Sequence, residues 1–123
     1  MTKVKVLLIE DDPDQILLYS TKFKLEGYMM ISAEDGATGI EMAKKDKPDI
    51  ILLDMVMNNM DGIEALKQLK ASKVKSIPVL LFTNLAKKDL VEEAKKFGAV
   101  GCIIKSDYTP GKVVEKVAEV LRK

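Results

Sequence analysis

Four consecutive aliphatic residues between two acids, Asp49-Ile50-Ile51-Leu52-Leu53-Asp54, constrain this 123-residue chain more than any other stretch. The run is too short for a helix and too uniformly apolar for a strand with one wet face. It reads as a central parallel strand, covered on both sides. The second acid stands where that strand should end. In open parallel α/β sheets, chemistry gathers just beyond the carboxyl ends of the strands. Asp54 is therefore either a turn residue or a reactive one.

The rest of the chain supplies partners for such a strand. Lys3 to Ile9 starts by alternating and becomes solidly apolar, then stops at Glu10-Asp11-Asp12-Pro13. Pro13 suits the first turn of a helix, where a missing N–H costs nothing. Ile16, Tyr19 and Phe23 recur at helical spacing, and Gly27 is the expected stop. Tyr28 to Ala33 predicts a second strand. Asp35 is placed to cap a helix with the stripe Ala37, Ile40 and Ala43. After the central strand, Ile63, Leu66 and Leu69 mark a third helix. Val79 to Phe82 predicts a fourth strand ending at Thr83-Asn84. A fourth helix follows, with the stripe Leu90, Val91, Ala94 and Phe97, stopped by Gly98. Val100 to Ile104 predicts a fifth strand that ends at Lys105. Thr109-Pro110 opens the last helix, whose stripe is Val113, Val114, Val117, Ala118, Val120 and Leu121.

Five strands alternating with five helices predict an α/β doubly wound fold with a parallel five-stranded sheet. The length suits one domain over residues 1–123, and no second domain is expected. A net charge of +1 gives no footprint for nucleic acid or a membrane surface. The longest apolar runs are far short of a membrane span, and the first strand begins too early to leave room for a signal peptide. The single cysteine, Cys102, rules out an internal disulfide and fits a reducing cytoplasm. The chain has no histidine. Any base, nucleophile or metal ligand must come mostly from carboxylates, and the protein cannot carry a phosphohistidine of its own.

Four strands finish on a reactive type of side chain: Glu10-Asp11-Asp12 after the first, Asp54 after the third, Thr83 at the fourth and Lys105 after the fifth. With strand order 2-1-3-4-5, the topological switch point lies between strands one and three. Glu10, Asp11 and Asp54 then share one crevice, flanked by Thr83 and Lys105. Two unit charges ~4 Å apart interact by about 4 kcal/mol at an effective dielectric near 20. Three carboxylates need compensation; Lys105 supplies one positive charge and a divalent cation would supply two. With only oxygen ligands available, Mg²⁺ is the natural ion. The cleft reads as carboxylates, a hard cation, a hydroxyl and an ammonium around a position suited to a phosphoryl group. Taken singly, each residue has a plainer reading: Asp11 or Asp12 as a cap, Thr83 as a turn hydroxyl, Lys105 as a solvated lysine. Their joint placement at strand ends, in chain order, favours the functional one.

These motifs, Leu8-Ile9-Glu10-Asp11-Asp12, Leu52-Leu53-Asp54, Met60-Asp61-Gly62, Thr83 and Lys105, make the chain resemble the receiver domain of two-component response regulators. It looks most like the stand-alone, chemotaxis-type members with a flavodoxin-like fold. The resemblance implies that Asp54 is the phosphoacceptor, attacking a phosphohistidine on a separate histidine kinase or histidine phosphotransfer protein. It implies Mg²⁺ held by Asp11, Asp54 and the backbone carbonyl of Val56, with Glu10 acting through a metal-bound water and Asp12 a supporting acid. Thr83 and Lys105 would bind phosphoryl oxygens. The protein would catalyse only its own phosphorylation and dephosphorylation. It would signal as a monomer or a weak phosphorylation-dependent dimer, through its fourth helix, fifth strand and fifth helix, to an output protein the sequence does not name. The alternative is a degenerate receiver that binds a partner without being phosphorylated.

The chain departs from the family pattern at four places. Asn58 stands where the family often has proline, which should loosen the loop after Asp54. Ser106 stands where proline usually follows the lysine, so the placement of Lys105 depends on another turn geometry. Cys102 occupies a position often held by a switching aromatic; a small buried apolar role is expected of it. Asn84 replaces a small residue after the threonine and either restricts the threonine or meets a partner. Val56 and Leu85 are apolar at positions bordering the path of water, which predicts a long-lived aspartyl phosphate. Met55, Met57 and Met60 are expected to fill gaps beneath the loop rather than bind a soft metal.

An aspartyl-nucleophile phosphatase would usually show a second acid two residues after Asp54, where Val56 stands. A flavodoxin-type carrier would want a Ser/Thr/Gly-rich phosphate loop where this chain has Glu10-Asp11-Asp12.

Overall fold

The strand–helix alternation is present along the chain in the computed structural model, which describes residues 3–57, 61–84 and 87–122. The expectations that fall on Asn58, Asn59, Met60 and Leu85 lie outside the described residues. In chain order the elements are β1 (Lys5–Ile9), α1 (Pro13–Leu25), β2 (Met29–Ala33), α2 (Gly36–Asp46), β3 (Ile50–Leu53) and α3 (Gly62–Lys70). They continue with β4 (Val79–Thr83), α4 (Lys88–Lys96), β5 (Gly101–Ile104), a 3₁₀ turn (Lys105–Asp107) and α5 (Pro110–Leu121). The strands are all parallel, in the order β2-β1-β3-β4-β5.

β3 is the central strand the sequence called for: Ile50, Ile51, Leu52 and Leu53 are all fully buried. Period-2 alternation sends its side chains to two separate cores. Ile51 and Leu53 join Leu7, Ile9, Val79 and Leu81 under α2, α3 and α4, against Ile40, Leu66 and Ala94. Ile50 and Leu52 join Val6, Leu8, Leu80 and Phe82 under α1 and α5, against Tyr19, Phe23 and Val117. The two acids flanking the run do different jobs. At the amino end, Asp49 accepts the Lys5 N–H on Oδ2 at 2.8 Å and donates its own N–H to the Lys5 carbonyl at 2.8 Å. It pins the start of β3 to the start of β1.

The starts of α1, α2 and α5 follow the sequence signals, while Asp61 caps α3 outside those expectations and α4 has no side-chain cap. Asp12, Asp35, Asp61 and Thr109 each accept a backbone N–H from the first turn, at 2.8 to 3.2 Å, and Pro13 and Pro110 occupy the first helical position. Gly27 takes a φ of +91° just past α1, where a side chain would be strained. The apolar stripes are narrower than the spacing predicts. Ala37 is exposed; α2 instead turns Gly36 and Gly39 inward. A Cβ on Gly39 would sit 2.5 Å from Ile9 Cδ1, so the glycine lets α2 lie close on β1. Phe97 is 38% exposed and lies under the Lys67 ammonium, 4.5 Å from its ring centre. Val100 is 51% exposed and precedes β5.

Candidate functional site

The register fixes which strand ends meet. Ile9 pairs with Leu53 across β1 and β3, so Glu10 and Asp54 emerge side by side. The Asp54 N–H donates to the Ile9 carbonyl at 3.0 Å, holding that juxtaposition one residue past the ladder. Thr83 pairs with Ile104 across β4 and β5, which places Lys105 immediately beyond. Four chain segments thus deliver their polar residues to one edge of the sheet.

Glu10, Asp11 and Asp54 can each offer a carboxylate oxygen within 4.8 Å of the others. Glu10 is 1% exposed, Asp54 7% and Thr83 2%, while Asp11 is half-buried. Lys105 brings its ammonium in from β5: Nζ forms an ion pair with Glu10 Oε1 and stands 3.8 Å from Asp54 Oδ2. The same ammonium lies 5.0 Å from the centre of the Phe82 ring, on the face where cations are attracted. Burial pushes the Glu10 carboxyl above its ordinary range, and the Asp54 charge adds to this; the bond to Lys105 pulls the other way without offsetting it.

Backbone donors complete the arrangement. The Asp12 N–H donates to Glu10 Oε2 at 3.2 Å and the Val56 N–H to Asp54 Oδ1 at 3.2 Å. Each acid is thus tied to the backbone two residues further along. Val56 itself is 57% exposed and carries no polar side-chain atom. Asp12 turns away to cap α1, accepting from Asp14 N at 2.9 Å, so of the three consecutive acids two face the crevice.

Gly62 is a site residue that hydrophobic periodicity does not reveal. A Cβ there would lie 2.6 Å from Met55 Cα and 2.9 Å from the Asp54 carbonyl oxygen. The Gly62 N–H donates to the Met55 carbonyl at 3.1 Å. The start of α3 is thereby packed against the backbone that carries Asp54. Met55 is 4% exposed and fills the space under this loop; Met57 packs against the same core.

The departures after β4 and β5 converge. Asn84 Oδ1 accepts the Ser106 N–H at 2.9 Å. Lys105 begins a 3₁₀ turn, closed by the Tyr108 N–H on the Lys105 carbonyl at 3.3 Å. Cys102 is half-buried against the α2–α3–α4 core, and burial pushes its thiol above the ordinary range, with Lys95 pulling weakly the other way.

A cleft of oxygen ligands with an ammonium across it suits a hard cation and a small oxyanion. The chain matches known proteins in family pattern, sequence and fold. The family model of the response regulator receiver domain matches residues 6–118. The sporulation initiation phosphotransferase F of Bacillus subtilis is 34% identical over 100 residues, covering 81% of this chain and 80% of that one. The regulatory protein AtoC of Escherichia coli is 36% identical over 106 residues, which is 85% of this chain but 23% of that protein. Among solved structures, the chemotaxis protein CheY4 of Vibrio cholerae superposes with a TM-score of 0.90 at 28% identity, covering 97% of this chain and 99% of that one. The receiver domain of a Francisella response regulator gives 0.88 at 25% identity, with 98% of each covered.

Proposed function

Because the chain belongs to the response regulator receiver domain family, we propose that it is a phosphorylation switch with Asp54 as its phosphoacceptor. The observation that carries this reading is Asp54 itself: a nearly buried carboxylate with Oδ2 3.8 Å from the Lys105 ammonium, and able to offer an oxygen within 4.8 Å of oxygens of both Glu10 and Asp11. One Asp54 oxygen attacks phosphorus, the O–P bond forms, and the N–P bond to the imidazole of a donor histidine breaks. The donor histidine belongs to a histidine kinase or phosphotransfer protein, because this chain has none.

Most of the work is positioning and charge neutralisation. Lys105 sits on the side of Asp54 where negative charge develops on the phosphoryl oxygens. Thr83, buried at the end of β4, adds a hydroxyl on the same edge. Asp11, Asp54 and the Val56 carbonyl would hold Mg²⁺, with Glu10 acting through a bound water. The three-carboxylate geometry fits a hard cation. The ion supplies charge neutralisation of the crowded acids and of the transferred group. On this reading the protein acts on no substrate beyond its own aspartate. It works in the cytoplasm beside its kinase and passes the signal to an output protein. The free thiol of Cys102 is compatible with that compartment.

The test is incubation with Mg²⁺ and a small-molecule phosphodonor, followed by intact mass measurement. Wild type should gain one phosphoryl group, labile at alkaline pH, and Asp54→Asn should gain none. A wild type that takes up neither phosphate nor beryllofluoride with Mg²⁺ present would establish the alternative, a receiver that binds its partner unphosphorylated.

A further inference from the structure

The two strands that carry Thr83 and Lys105 do not part company at the end of their ladder. Their last paired residues are Thr83 and Ile104. One residue further on, the Asn84 side chain takes over from the backbone and accepts the Ser106 N–H at 2.9 Å, across 22 positions of sequence. Only the carbonyl oxygen of the carboxamide can receive an N–H, so the donor fixes which way the amide points.

The Ser106 N–H is one of the donors that the start of a helical turn leaves without a partner inside that turn. Ile104, at the cap position of the Lys105–Asp107 turn, supplies no side-chain bond. Asn84 does that job from the neighbouring strand. The residue so tethered is the one directly after Lys105, whose long side chain must return to the crevice to reach Glu10 and Asp54. On the other side, the tether is anchored directly after Thr83. Thr83 and Lys105, whose ammonium stands 3.8 Å from Asp54 Oδ2, are each one residue from the same hydrogen bond.

We infer that Asn84 is a positioning residue: its carboxamide ties the turn after β5 to the end of β4, so that Thr83 and Lys105 meet the group bound at Asp54 as one unit. A displacement of Thr83 toward that group is then passed to the Ser106 turn and the start of α5 without a large side chain on β5. This rests on Asp54 being the phosphoryl site, and the experiment separates the two.

Nuclear magnetic resonance of wild type and three variants reads the tether directly. Asn84→Ala and Asn84→Leu remove the acceptor, the second keeping nearly the same size; Asn84→Asp keeps it. In the first two, the Ser106 amide should shift and exchange with solvent several times faster, and the Lys105 Cε and Nζ signals should move. In Asn84→Asp the Ser106 amide should stay protected. With Mg²⁺, the beryllofluoride affinity of Asn84→Ala and Asn84→Leu should fall roughly three- to tenfold, the loss of one hydrogen bond. A merely structural role would lower the melting temperature and leave the Lys105 signals in place. An unmoved Ser106 amide, or unmoved Lys105 signals, overturns the inference. If wild type itself binds no beryllofluoride, the phosphoacceptor reading fails, and the Ser106 and Lys105 signals still decide whether the tether exists.

Discussion

Lys105 and Glu10 form an ion pair in which the two side chains are 9% and 2% exposed. A pair this deep is weak evidence for stability in itself, but breaking it leaves a charge with little water around it. Lys105→Met should therefore cost about 3 kcal/mol in urea unfolding without divalent ions. Adding Glu10→Gln should recover part of that loss, because the deeper of the two carboxylates facing Lys105 is then neutral and Asp54 alone remains. Equal midpoints for wild type and Lys105→Met would show that Glu10 finds compensation elsewhere.

Gly62 and Gly111 both lie in the first turn of a helix, yet their surroundings differ. A Cβ on Gly62 meets the Met55 and Asp54 backbone at 2.6 and 2.9 Å, while one on Gly111 meets nothing within 4 Å. Gly62→Ala should destabilise by about 1 to 3 kcal/mol through overpacking, and should slow phosphorylation further by displacing Asp54. Gly111→Ala should stabilise by up to about 1 kcal/mol and leave phosphorylation unchanged. Thermal melts and phosphodonor kinetics on the two variants decide it, and equal behaviour of the pair would refute the close-approach argument.

The residues that were readable in the sequence are those whose partners are local or generic. Ile50 to Leu53 announced a buried strand because both faces are apolar, whatever packs there. Asp35, Pro13 and Pro110 announced helix starts because a cap acts within three residues. The pairing of Lys105 with Glu10 spans 95 positions, and that of Asn84 with Ser106 spans 22. Nothing in the side chains themselves states such distances. The sequence brought Glu10, Asp11 and Asp54 together only through the rule that sheets are doubly wound. Phe97 and Ala37 misled for the opposite reason: helical spacing marks a face, but how wide a stripe is covered depends on neighbours. At Phe97 the Lys67 side chain covers the ring instead of the core.

Three acids whose oxygens lie within 4.8 Å of one another carry a repulsion that a divalent ion relieves. Mg²⁺ should raise the melting temperature, by an amount equivalent to about 2.7 kcal/mol at a hundredfold excess over its dissociation constant. Asp11→Asn removes one repelling charge and one ligand. It should melt no lower than wild type in chelator, and should lose most of the response to Mg²⁺. A response of equal size in both proteins would place the ion elsewhere.

Burial raises the Cys102 thiol above its ordinary value of 9.0, and this has a sign in stability. Between about pH 9 and the folded value, the native state holds a proton that the unfolded chain has released. Stability from this group is complete below pH 9 and is lost as pH rises through the folded value. Comparing urea midpoints at pH 7 and pH 10, wild type should lose more than Cys102→Ala; the difference isolates the thiol from the lysines and tyrosines. At neutral pH, Cys102 should also react more slowly with a thiol reagent than the same chain in denaturant. A rate equal to that of the unfolded chain would contradict the burial.

Val56 is 57% exposed, with its N–H committed to Asp54 Oδ1. A water approaching a phosphoryl group on Asp54 finds no donor or acceptor on that side chain. The aspartyl phosphate should accordingly be long-lived. Val56→Asn offers one hydrogen bond to orient the water, worth about 1 kcal/mol, or roughly a fivefold shorter half-life. Val56→Ala removes bulk without adding a polar atom and should change the half-life far less, which separates orientation from access. Loss of the acid-stable, base-labile phosphate over time in Mg²⁺ measures all three proteins. A wild-type phosphate as short-lived as that of Val56→Asn would mean that another group already orients the water.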